Sequence, residues 1–130
     1  FDNPIKRFII LAMIDRRVEI NEMMRDHGQR GLTVVDYVRR TASEMRMTRD
    51  AATDANEWAL HFARATGFAA MITECPTRRL TYLREELDEL AQSEPEVLQL
   101  VLTVHGLAES LRKTDRGMYL SAIREANAVI

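Results

Sequence analysis

From Thr33 onward the apolar positions recur at helical spacing. Val34, Val35, Val38, Ala42 and Met45 fall on one stripe, and three- and four-residue steps of this kind put side chains on a single face of an α-helix. Thr33 stands just before the stripe and Asp36 three residues later, an acidic variant of the capping box, so a helix is predicted from Thr33 to about Met47. Upstream, "NPIKRFIILAMIDRR" offers Asn3 as N-cap and Pro4 at the first helical position. Ile5, Phe8, Ile9 and Met13 or Ile14 follow near helical period, which predicts a helix over about 4–16. Ile20, Met23 and Met24 mark a short second helix, closed by Gly28 and Gly31 as C-cap and turn.

Beyond Met47, Thr48 is the next N-cap candidate, with Asp50 in the first turn to complement the helix dipole. Ala52, Ala55, Ala59 and Phe62 keep the helical step, and Gly67 is predicted to end this helix. The pattern then changes. "GFAAMITECPTRRLTYL" is an apolar run, a polar break with proline and an Arg-Arg pair, and a second apolar run. Apolar runs bounded by turn formers predict a β-hairpin over residues 68–83.

"REELDELAQ" returns to strong helix formers. "SEPEVLQLVLTVHGLAESLRK" restarts with Ser93 as N-cap and Pro95 early, and is apolar nearly all round from Val97 to Leu107. Such a helix has to be buried on more than one face, often by a partner subunit. This predicts a homodimer built mainly from helices after residue 93, helped by the first helix. "DRGMYLSAIREANAVI" forms the last helix, packing through Tyr119, Leu120, Ile123 and Val129-Ile130.

The 130 residues fit one compact domain. No uncharged apolar run approaches the length of a bilayer span, and the first residues make a poor signal peptide. The single cysteine, Cys75, suits a reducing compartment and offers no metal-ligand spacing, so a cytoplasmic protein is expected. The net charge of -2 argues mildly against a nucleic-acid binder, yet its distribution is uneven. Residues 30–84 hold nine Arg against six acids, whereas residues 85–130 hold four basic against nine acidic side chains. Positive charge therefore gathers in the segment with the hairpin.

The run "YVRRTASEMRMTRDAATDANEWALHFARATGFAAMITECPTRRLTYLREELDELA" resembles the winged helix-turn-helix transcription regulators of the MarR-like and PadR-like kinds. The match rests on two helices joined at "MRMT", a helix ending in Gly-apolar, a strand, a charged tip, and a strand reading Arg-x-x-Tyr-Leu before a Glu-rich helix. It covers about 55 residues of the 130. The resemblance implies a mainly α fold: a winged helix-turn-helix core over 33–83 with a small β-hairpin, and flanking dimerisation helices over 1–28 and 84–130. It implies a dimeric, sequence-specific double-stranded DNA-binding regulator, with no cofactor and no catalytic activity. Arg49, Thr53 and Asn56 would face the major groove, where Asn pairs with adenine and Arg with guanine. Arg78 and Arg79 at the hairpin tip would touch phosphate or the minor groove, and Arg39 and Arg40 would clamp backbone. Trp58, His61, Phe62 and Tyr82 would line an effector pocket, or simply belong to the core.

Three departures from the family pattern stand in the same residues, one of them a helix from Thr48 to Gly67 about one turn longer than usual. Arg46 occupies the place where the turn usually carries glycine, and Asp50, Asp54 and Glu57 lie on the face that would meet phosphate. "REELDELAQ" also resembles the Glu-Glu-x-x-Glu motif by which all-α nucleotide pyrophosphatases hold magnesium. That chemistry needs a second acidic pair on a following helix, and "LTVHGLAESL" supplies only Glu109. The strongest alternative is an all-helical protein-interaction or adaptor module that does not bind DNA. It accommodates the acids of the presumed recognition helix and has no need of a basic hairpin.

Overall fold

The computed structural model of the chain describes residues 19–76, 80–81 and 83–130. The chain divides into two compact units, 1–32 and 33–130.

In the first unit, residues 19–29 are helical (α1). Its end follows from one glycine. Gly31 has φ +84°, a left-handed conformation in which a Cβ would be strained. That geometry lets the Leu32 N–H reach back to the His27 carbonyl at 2.9 Å and the Gly31 N–H to Gly28 at 3.1 Å. The pair of bonds forms a Schellman motif, which satisfies carbonyls that the helix end leaves open.

The second unit is built from α2 (Val34–Asp50), α3 (Ala55–Glu74), α4 (Leu83–Ser93), α5 (Pro95–Thr114) and α6 (Arg116–Asn127). The Asp36 carboxylate accepts the Thr33 N–H at 2.7 Å, as the capping pattern predicts, and also the Thr33 hydroxyl at 3.0 Å. Central to the unit is α3, which packs against α2, α5 and α6. Every residue from Ala65 to Ile72 along it is buried. A smaller cluster, Ala42, Leu90, Val97 and Val101, closes the other side between α2, α4 and α5.

The β-hairpin and the winged core are not found. Residues 68–74, the predicted first strand, continue α3, and no strand occurs among the described residues. Gly67 is a contact point and ends nothing. A Cβ built there would strike the Ala122 carbonyl of α6, and would lie 2.6 Å from the carbonyl carbon and 2.7 Å from Ala126 Cβ. α3 and α6 therefore cross with their backbones nearly touching. The apolar run after Gly67 has no polar face because neighbouring helices surround it. A short run of that kind looks the same in a buried strand and a buried helix.

The helix-turn-helix register also shifts. α2 runs on through "MRMT", and Thr48 lies inside it, 3 % exposed, with its hydroxyl donating to the Glu44 carbonyl at 2.7 Å. The cap of α3 is Asp54, whose carboxylate accepts the N–H groups of Asn56 and Glu57 at 3.1 and 3.2 Å. Ser93 likewise bonds back to the Glu89 carbonyl at 2.9 Å, while Glu94 precedes Pro95 as the N-cap of α5.

α6 is pinned to α3 by Tyr119, which is fully buried. Its hydroxyl lies 2.7 Å from Glu74 Oε1, 2.6 Å from Thr73 Oγ1 and 3.2 Å from the Ala70 carbonyl. Its one proton goes to the carboxylate, the strongest acceptor of the three. Burial pushes the phenol above the ordinary tyrosine value, the Thr73 contact opposes this, and the Glu74 bond adds to it. A phenol whose folded pKa is raised contributes stability that is complete below about pH 10 and is lost as pH rises toward the folded value. Between about pH 10 and 11.5 the wild type should therefore lose about 1–2 kcal/mol more than Tyr119→Phe. Urea titrations of both proteins across that range measure the difference, and parallel curves would refute it.

Candidate interaction groove

Not all of the apolar surface of α3, α5 and α6 is consumed by their packing. In α5 the fully buried residues are Val97, Val101, Val104 and Ala108, a single stripe. Leu107 and Leu111 stand beside that stripe and are only half-buried. Across from them the first half of α3 carries Trp58 and Phe62 one turn apart, their rings stacked with centroids 4.9 Å apart and planes within 7°. Met118, Ser121 and Glu125 of α6 complete the floor and far edge, being three and four residues apart on one face.

Together these residues line a half-open groove of about 250 Å³. Trp58 is 41 % and Met118 56 % exposed. Its walls are apolar apart from Thr66, Ser121 and Glu125. Thr66 spends its hydroxyl on the Phe62 carbonyl at 2.8 Å, which leaves it little to offer a ligand.

Another cleft of the unit, about 220 Å³ between α2 and the α4–α5 corner, is of a different kind. Arg39 there pairs with Glu86 (2.6 Å) and Arg46 with Glu94 (2.5 Å). The Arg46 bond holds the Glu94 carboxyl below its ordinary range, and the Glu86 bond raises Arg39. Both pairs are solvent-washed and worth little to stability.

Those residues predicted to read DNA that are described lie on successive elements, the end of α2, the following turn and the start of α3. Arg49 ends α2 and bonds the neighbouring Asp50 at 3.2 Å. Thr53 is exposed in the α2–α3 turn, and Asn56 is exposed in the first turn of α3. Arg39 is engaged by Glu86, while the Arg40 guanidinium lies 5.8 Å from the Phe68 ring centre. Arg78, Arg79 and Tyr82 lie outside the described residues.

Of the predicted effector-pocket residues, Trp58 and Phe62 do meet in the groove. His61 faces the other way. Its Nδ1 lies 2.7 Å from Glu44 of α2 and its Nε2 3.2 Å from Glu57. A neutral imidazole has one N–H and serves one carboxylate, whereas the imidazolium serves both. No group of three or more His, Cys, Asp or Glu side chains among the described residues could hold a metal. Cys75 closes α3, buried, with its thiol donating to the Met71 carbonyl at 3.3 Å.

Leu111, Met118, Ser121 and Glu125 were not singled out from the sequence, and Leu107 only as the end of an apolar run. Their signal is a second stripe beside the core stripe, Leu107 and Leu111 on one helix and Met118, Ser121 and Glu125 on the next. Among the described residues no helix is long and apolar enough to cross a membrane. No family model, curated protein or solved structure matches the chain.

Proposed function

We propose that the chain is an all-helical protein-interaction module that receives an apolar segment of a partner in the groove between α3, α5 and α6. The observation that carries this reading is the stacked Trp58–Phe62 pair, left open to solvent opposite Leu107, Leu111 and Met118. Aromatic side chains at the centre of a concave apolar patch supply most of the energy of protein interfaces. A groove between helices also suits a partner helix laid lengthwise. The ion pairs of Arg39, Arg46 and Arg49 support the same reading, because three of the four basic residues of α2 are already paired with acids.

Trp58 is the only tryptophan of the chain, so its fluorescence reports on the groove alone. Titration with a synthetic amphipathic helix carrying leucines on one face should shift its emission to the blue. The shift should saturate and be lost in the Leu111→Glu variant. In parallel, the protein should pass through a duplex-DNA resin at moderate salt. Unchanged emission throughout the titration, together with salt-sensitive retention on the resin, would replace this reading with nucleic-acid binding.

A further inference from the structure

The groove has one charged lining residue, Glu125, on the exposed side of α6. It shares the Met118, Ser121 and Glu125 face of α6 and lines the groove together with Trp58, Phe62 and Leu107. Several charged side chains at helix junctions of this unit have partners, Arg39 with Glu86, Arg46 with Glu94, and Glu44 and Glu57 with His61, whereas the Nε of Arg64 is buried without one. Glu125 makes no hydrogen bond or ion pair among the described residues. A docked apolar surface would strip water from this carboxylate, at a cost unless the incoming surface brings a compensating charge. An apolar partner with a neutral or acidic residue at that point would leave the carboxylate unmatched.

Resting on the reading of the groove as a docking site, we propose that its partner is an amphipathic helix with a lysine or arginine one turn from its central apolar anchor, set to meet Glu125. The anchor lies against the Trp58–Phe62 stack and the floor at Met118, and the basic head extends along the apolar wall to the carboxylate at the rim. Lys and Arg suit this geometry because their aliphatic stems cover apolar surface while the charged head stays near water.

The test uses two synthetic helices with the same leucine face, one with Lys and one with Glu at the position one turn from the central Leu. Each is titrated into the wild type, Glu125→Gln and Glu85→Gln, with Trp58 emission as readout. Glu85 is exposed on α4, away from the groove, so its variant carries the same net-charge change. The Lys helix should bind the wild type about tenfold more tightly than its Glu twin. That preference should fall to about threefold or less in Glu125→Gln, remain in Glu85→Gln, and shrink with added salt. Equal affinity of the two helices for the wild type would overturn the charge assignment and leave the groove reading standing. Loss of preference in both variants would assign it to overall charge, again overturning the role of Glu125. If neither helix moves the Trp58 signal, the groove reading fails and this inference with it. A blue shift on concentrating the protein alone, with a dimer in sedimentation, would identify a second copy of the chain as the occupant and overturn the proposal.

Discussion

Replacing Gly67 by alanine is expected to lower the unfolding free energy by about 3 kcal/mol or more, the top of the range for adding a methyl group to a packed interior. Overpacking is usually relieved by a side chain that swings aside. Here the obstacle is the Ala122 carbonyl and Ala126 Cβ, part of or fixed to the α6 backbone, so relief requires the whole helix to move. Alanine is the better helix former by about 1 kcal/mol, which offsets only part of the cost. Urea denaturation of Gly67→Ala against the wild type measures the difference. Gly106, whose added Cβ would meet nothing within 4 Å, is the matched control. Gly106→Ala should leave stability unchanged or raise it slightly. A stable Gly67→Ala protein would mean that α3 and α6 do not cross at this point.

Phe68→Ala should cost about 3–5 kcal/mol, the usual range for emptying a buried aromatic site. Phe68 is 1 % exposed and is flanked along α3 by buried residues on every side, so the cavity has few ways to collapse. Its ring also receives the Arg40 guanidinium at 5.8 Å, a contact worth about 0.5–1 kcal/mol. A double-mutant cycle with Arg40→Ala separates that share from the cavity. Chemical denaturation is the readout, and a loss below about 1 kcal/mol would place Phe68 at the margin of the core.

Helical periodicity located α2 and the last helix, because each carries a polar face toward water, and glycine marked the turn before α2; α5 was found from its early proline, although its cap is Glu94 and not Ser93. The same reasoning failed in α3, where the cause is physical. Its second half is enclosed by α2, α5 and α6, so selection for burial removes the polar positions that would reveal period. Gly67, taken as a stop, is required by a neighbouring backbone that one sequence does not display. Thr48 carried the composition of a cap but closes its hydroxyl on the preceding turn, leaving Asp54 to do the capping. For the groove, Trp58 and Phe62 could be read as a pair from their spacing. Their partners on α5 and α6 could not, since they come together only through the tertiary crossing that Gly67 permits.

The helices around the groove are held in unequal ways. α6 is fixed to α3 by the close crossing at Gly67 and by the bonds of the Tyr119 hydroxyl, which are directional and short. Between α5 and α3 the described residues make no hydrogen bond or ion pair. The threonines of α5 bond within their own helix, Thr103 to the Gln99 carbonyl and Thr114 to that of Ser110. Dispersion and apolar burial have no preferred direction, so no directional bond fixes α5 against α3, although the Arg46–Glu94 pair ties its start to α2. Against α3, one jaw of the groove is thus held by directional bonds and the other by burial alone, and Glu125 lies on the bonded side.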